Sequence, residues 1–201
     1  VTALTKPLPL RDEVFLLGHD GDTGRTHIHR QALALGLAGA VLIDLFLTRH
    51  ITLTPAGDPH LYPHRYPKRP TGDLIADTAI TSIRHANTPP PLRGFLRGFS
   101  TDLYERTRAA LVTAGILHHH QRRRMAGLMR TDTYLPSHHR WQIIPRARLC
   151  ALARGREQPD NDTATLPGRL LNVANQHHQP VRAITTAVDT TIGDLATAAY
   201  R

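Results

Sequence analysis

Apolar residues at helical spacing run through most of this chain, and short alternating stretches interrupt them in two places. In LRDEVFLLG, Leu10, Val14 and Leu17 fall on one helical face. Asp12 and Glu13 lie near its start, where the helix dipole favours acids, and Gly18 closes it. HDGDTGRTHI then reads as a polar loop. From Ile28 to Leu47 the chain is apolar nearly all round, which predicts a buried central helix. Gly36 and Gly39 inside it cost about 1 kcal/mol each relative to Ala, so a neighbouring helix is expected to approach closely there. Ile51 and Leu53 alternate before a Pro-Ala-Gly-Asp turn, the pattern of a β-hairpin.

Further on, PHRYPKRPTGD is a basic connection, Leu74 to His85 a helix, and NTPPPLRGF a stiff spacer. STDLYERTRAALVTAG is punctuated as a helix. Ser100 or Thr101 would cap it, Gly115 would close it, and Leu103, Ala110, Leu111 and Ala114 would form its core face. GILHHHQRRRMAGLM and the residues after it read as strand, tight turn and strand. Helices are expected from Trp141 to Arg154, with Pro145 dividing it or at its first turn, across LPGRLLNVANQ, and from Val181 to Tyr200. LIDLFLTRHITL and ALVTAGILHHH echo one another, as a duplicated unit or as any helix-to-hairpin junction would.

Composition changes the picture in three ways. Forty per cent apolar content over 201 residues suffices for a core. A net charge of +9 favours anionic partners: nucleic acid, acidic lipid or an acidic protein. All of the 25 basic residues except Lys6 and Lys68 are arginine, a bias that a GC-rich genome also produces, which weakens charge as a functional signal. Cys150 is the single cysteine, which excludes an internal disulfide and a thiolate zinc cluster. No apolar segment follows a basic one at the start, so no signal peptide is expected. The apolar run Leu33 to Leu47, interrupted by Asp44, reads as too short and too polar for a bilayer span. The expectation is a cytoplasmic protein that touches the inner face of a membrane without crossing it.

Catalytic chemistry finds little support. Histidines are conspicuous (His27, His29, His118 to His120, His138, His139, His177, His178), but there is no HExxH and no Cys/His box, so they read as surface residues and no metal site is expected. Neither a G-x-S-x-G elbow nor a Walker lysine is present, and GHDGDTGRTH lacks a preceding strand. No enzyme activity and no cofactor are expected. Helix, glycine turn and basic hairpin is also the order of a winged-helix DNA binder. The helix before the hairpin offers Arg106 and Arg108 but few base-reading groups, which disfavours nucleic acid.

The order of segments is similar to that of the Golgi phosphoprotein 3 family, in its bacterial branch. EVFLLGHDGDTGR resembles that family's opening L..LLL...D..G. LGLAGAVLIDLFLTRHITL resembles its central GL.GA.L.EL.L.GRI.L, with Asp44 at the usual acid and Arg49-His50-Ile51 near Gly-Arg-Ile. LYERTRAALVTAGIL resembles R.RL...L...GIL, and RTDTYL follows the hairpin. The resemblance spans roughly residues 8 to 176. It implies a mainly α fold over residues 1–201: one helical domain with central buried helices, peripheral amphipathic helices and one or two short β-hairpins.

Eukaryotic members of that family are peripheral membrane adaptors that bind phosphatidylinositol 4-phosphate and the cytosolic tails of glycosyltransferases. The resemblance therefore implies an acidic membrane lipid and a protein client as partners, with self-association through the hairpin. Their lipid-pocket Arg falls on Ala38 here, their Trp on His29, and a later Arg pair near Thr101 and Tyr104, so the pocket residues themselves are replaced. Arg25, Arg30, Arg97, Arg106 and Arg108 are close enough in sequence to build a different anion site with His29 and Tyr104. In the hairpin, Arg122, Arg123 and Arg124 would meet the headgroups, each contributing about 1 kcal/mol near an anionic leaflet. Met125, Leu128 and Met129 would insert, pack inward or pair with another subunit. The alternatives are a winged-helix-like nucleic-acid binder and a cytosolic protein-interaction module without lipid binding.

Overall fold

A computed structural model describes residues 8–62, 70–124, 129–141, 143, 145 and 178–199. Six helices and two antiparallel hairpins lie within them: α1 (Leu10–Leu17), α2 (Arg30–Leu47), β1 (Ile51–Leu53), β2 (Pro59–Leu61), α3 (Leu74–His85), α4 (Leu92–Ser100), α5 (Leu103–Thr113), β3 (Leu117–Arg124), β4 (Met129–Pro136) and α6 (His178–Ala199). The fold is mainly α, with short hairpins, as the periodicity predicts. Met125, Leu128, Cys150, the PHRYP segment, the LPGRLLNVANQ helix and most of the helix expected after Trp141 lie outside the described residues. At Arg122, Arg123, Arg124 and Met129 only the strand positions are described.

α2 is the centre of the molecule. α1, α3, α4, α5, α6 and β1 all pack on it, and Leu35, Leu37, Ala38 and Leu42 are sealed from solvent. By length and composition this helix is able to cross a membrane, contrary to the reading of its apolar run as too short and too polar. Here five helices surround it instead, so its all-round hydrophobicity is satisfied by protein. Gly39 admits α6 closely: a Cβ there would stand 2.7 Å from Val188 Cγ2. Gly36 has no such neighbour, the nearest atom being Val14 Cγ1 at 4.0 Å. Close approach therefore explains one glycine of the two.

Proline precedes two helices, and in both an aspartate from elsewhere completes the N-terminus. Pro9 and Pro91 offer no capping side chain to α1 and α4. Asp44 of α2 accepts the Leu10 N–H at 2.7 Å, and Asp58 of the first hairpin accepts the Leu92 N–H at 3.0 Å. Each satisfies a donor that a helix start leaves open. α4 itself corrects the spacer reading of NTPPPLRGF: Leu92, Phe95, Leu96 and Phe99 form one buried helical face directly after the prolines. Ser100 consequently ends α4 and caps nothing, and Asp102 occupies the position before α5. The core face of α5 is Leu103, Tyr104, Thr107 and Leu111, while Ala110 and Ala114 are exposed. In α1 the most buried apolar residues are Leu10, Phe15 and Leu16, with Val14 and Leu17 half-buried.

Asp12 and Glu13 are buried as well, so their role extends beyond the helix dipole. Arg11 bonds Asp12 Oδ1 at 2.9 Å and both carboxylate oxygens of Asp73, which also caps α3. Burial pushes the Asp12 carboxyl up, against the pull of Arg11. Burial opposes the charge on Arg11 too, but Asp12 and Asp73 hold its pKa above the ordinary value.

The two helix-to-hairpin junctions are alike bond for bond. After α2, Arg49 N–H donates to the Phe46 carbonyl and His50 N–H to Leu45; after α5, Gly115 donates to Val112 and Ile116 to Leu111. Both are Schellman closures, with Arg49 (φ 57°) and Gly115 (φ 67°) in the left-handed region. The residue leaving each hairpin then returns to the junction: Tyr62 N–H to the His50 carbonyl and Ser137 N–H to Ile116.

Candidate functional site

A buried histidine contacts the candidate anion cluster through Tyr104. His19 follows Gly18 at the end of α1 and stacks on Phe15 at 4.2 Å between ring centres. Its Nδ1 lies 2.7 Å from the Phe15 carbonyl, which takes a hydrogen from it, so Nε2 carries the lone pair and accepts the Tyr104 hydroxyl at 2.8 Å. Burial lowers the His19 pKa, and His27, Arg30 and Arg108 lower it further. Burial raises that of the Tyr104 phenol, against Arg30 and Arg108. Both groups are therefore neutral near pH 7, and the phenol proton is committed to the imidazole. Tyr104 lies on the buried face of α5, with its hydroxyl turned to His19.

Two guanidiniums lie here, each against a different tyrosine ring. Arg30, the first residue of α2, places Cζ 5.1 Å from the Tyr104 ring centre. Arg108, one turn along α5 from Tyr104, stacks on Tyr134 of β4 at 4.2 Å. Tyr134 also stacks on His119 across the hairpin, and His119 bonds Asp132 at 2.9 Å, which lowers that carboxyl's pKa. Glu105 stands between Arg30 and Arg108 and contacts both. The loop before α2 borders the cluster and carries exposed Arg25 and His29. The His29 ring also accepts the Gln31 N–H at the start of α2. Gly24 (φ 66°) lets this loop lie on β4, since a Cβ there would meet the Tyr134 carbonyl oxygen at 2.6 Å.

Of the seven residues proposed for an anion site, the fold thus brings Arg30, Tyr104 and Arg108 together, with Arg25 and His29 on the adjoining loop. Arg97 is engaged elsewhere: with Arg93 it pairs to Asp194, tying α4 to α6. Arg106 donates to Thr78 Oγ1 on α3 at 2.8 Å. His19, Glu105 and Tyr134 were not foreseen. They join the cluster through contacts spanning up to 85 positions, and only the place of His19 directly after a helix-closing glycine marked it in the sequence.

A central helix wrapped by five others, two short hairpins and an arginine–tyrosine cluster define a small, mainly α protein with an exposed polar corner. Residues 10–199 match the family model described as Golgi phosphoprotein 3 (GPP34), and the chain belongs to that family. No curated protein matches it.

Proposed function

We propose that this protein is a non-enzymatic peripheral adaptor that docks on acidic membrane headgroups through the corner formed by Arg30, Tyr104, Arg108 and the adjoining loop. The observation that carries this reading is the convergence of two guanidiniums, each braced on a tyrosine ring, toward one point outside α5. Arginine forks of this kind suit phosphate and carboxylate. The start of α2, which carries no acid in its first turn, adds the positive end of its dipole. Basic positions of β3 at Arg122, Arg123 and Arg124 extend the charge along the second hairpin. Family membership supports the adaptor role. A winged-helix reading needs Arg106 free to meet DNA, and Arg106 instead donates to Thr78 on α3.

Flotation with vesicles tests the proposal, comparing neutral lipid with roughly 30–40% acidic lipid at low and high salt. Wild type should float only with acidic lipid and lose binding in high salt. Arg30→Gln/Arg108→Gln should lose most binding, and Arg122→Ser/Arg123→Ser/Arg124→Ser part of it. Binding to neutral vesicles alone, or none by a folded protein, sinks the lipid role.

A further inference from the structure

A groove of about 1010 Å³ runs between the turn of the first hairpin, the start of α4 and the first half of α6, and it shares no residue with the arginine–tyrosine corner. Its apolar lining is shallow. Ala183 and Ala187 lie one turn apart on α6, and Leu53 and Leu92 add apolar surface from the hairpin and α4. We propose that this groove takes an extended segment of a partner protein, with two apolar side chains in alternation and acidic residues beside them. The inference gives the adaptor reading a protein partner and uses none of the lipid-facing residues.

Charge selects the acidic residues. The described starts of α4 and α6 both line the groove, and neither carries an acid in its first turn, so the positive ends of two helix dipoles lie on it. Arg93 and Arg182 stand on those same turns. Asp58 is the single carboxylate among the described lining residues, and it is committed to the Leu92 N–H. Arg93 shares Asp194 with Arg97, so one carboxylate answers two guanidiniums. Arg182 is exposed and forms no ion pair among the described residues. The groove therefore holds more positive charge than the described residues around it offset.

Spacing selects the extended chain. Four residues of helix separate Ala183 and Ala187 by about 6 Å, and alternate residues of an extended chain lie about 6.7 Å apart. Every second side chain of a segment laid along α6 thus reaches an alanine, where a methyl group leaves room for a larger apolar partner. Small-molecule sites span about 300–1,000 Å³, so a groove of this size, open to solvent, suits a length of chain better than a single metabolite. A second copy of this protein is disfavoured, because it brings the same net charge of +9.

The test follows the full chain and a labelled peptide, Ser-Leu-Ser-Leu-Glu-Glu-Ser, by fluorescence anisotropy, beside peptides with Gln-Gln or Lys-Lys in place of Glu-Glu. Wild type should bind the Glu peptide about 10-fold more tightly than the Gln peptide, and lose that preference in high salt. Arg93→Gln/Arg182→Gln should abolish the preference, with Arg97 left to hold Asp194. Arg182→Glu should favour the Lys peptide, which general attraction to a basic protein would not produce. Ala183→Leu fills the groove without changing charge and should weaken all three peptides by about 10-fold. Thermal melts confirm folding, and flotation on acidic vesicles runs in parallel, where Ala183→Leu should behave as wild type. Equal affinity for the Glu and Gln peptides, or an Ala183→Leu variant that binds as wild type does, overturns the proposal. So does a lowered melting midpoint in Arg93→Gln/Arg182→Gln when no peptide binds, because the cations then serve this chain alone. Flotation without peptide preference leaves the lipid reading standing and removes the groove; peptide binding by a protein that does not float does the reverse.

Discussion

Gly36 and Gly39 share a helix and a residue type, yet substitution should separate them. A methyl group at Gly39 would meet Val188 Cγ2 at 2.7 Å, with Ile184 Cγ2 at 3.8 Å behind it. α6 must shift or Val188 must leave its rotamer, so Gly39→Ala should destabilise by about 1–3 kcal/mol. At Gly36 the nearest atom is at 4.0 Å, and the residue lines an apolar cavity of about 160 Å³ between α1, α2 and α6. There a methyl group fills space and replaces the poorest non-proline helix former, so Gly36→Ala should stabilise by about 1 kcal/mol. Urea denaturation of the two variants decides the matter. Equal effects in the same direction would mean that α6 does not approach α2 as described.

Between elements, the informative comparison is that of the two Schellman closures. Gly115 takes φ 67° without cost, whereas Arg49 holds φ 57° with a Cβ in the way. Arg49→Gly should therefore raise stability by about 1 kcal/mol, and Gly115→Ala should lower it by a similar amount. Chemical denaturation is the readout, and a destabilised Arg49→Gly would mean that the arginine side chain contributes more than its backbone costs. Legibility from sequence divides along the same physical line. Local signals placed α3 at Leu74–His85, the Gly18 stop, and both hairpins, because caps, turns and alternation are short-range. α4 was hidden by its own punctuation: three prolines and a glycine read as a spacer, although Leu92, Phe95, Leu96 and Phe99 keep helical spacing. The buried faces of α1 and α5 were partly misassigned, because α1 is covered on more than one side and α5 turns Ala110 and Ala114 to solvent. Within the candidate site, Arg30, Tyr104 and Arg108 were legible as chemistry. That Glu105 closes the arginine pair, and that Arg97 belongs to Asp194, depends on helix orientations that no local pattern encodes.

For the whole molecule, the consequence is a stability that depends on pH near neutrality. His19 joins the end of α1 to α5 through Tyr104, and is kept neutral first by burial and then by His27, Arg30 and Arg108. Its folded pKa lies below 6.5, so on acidification the unfolded chain takes the proton first. Stability from this group is complete above about pH 6.5 and is lost as the pH falls from there toward the folded value. Asp12 has the opposite sign: burial holds its folded pKa above 3.8, so the native state binds that proton first and gains as the pH falls through that interval. Urea midpoints between pH 8 and pH 5 should fall with pH for wild type, and less steeply for His19→Gln, which starts from lower stability because the Tyr104 bond is altered. Parallel slopes would remove His19 as the source. Two of the charges that depress His19 are the arginines of the anion corner, so a phosphate held there would offset them, raise the histidine pKa and flatten the wild-type slope. Inorganic phosphate should do this for wild type and leave Arg30→Gln/Arg108→Gln unaffected, which would link the outer site to the core through one imidazole.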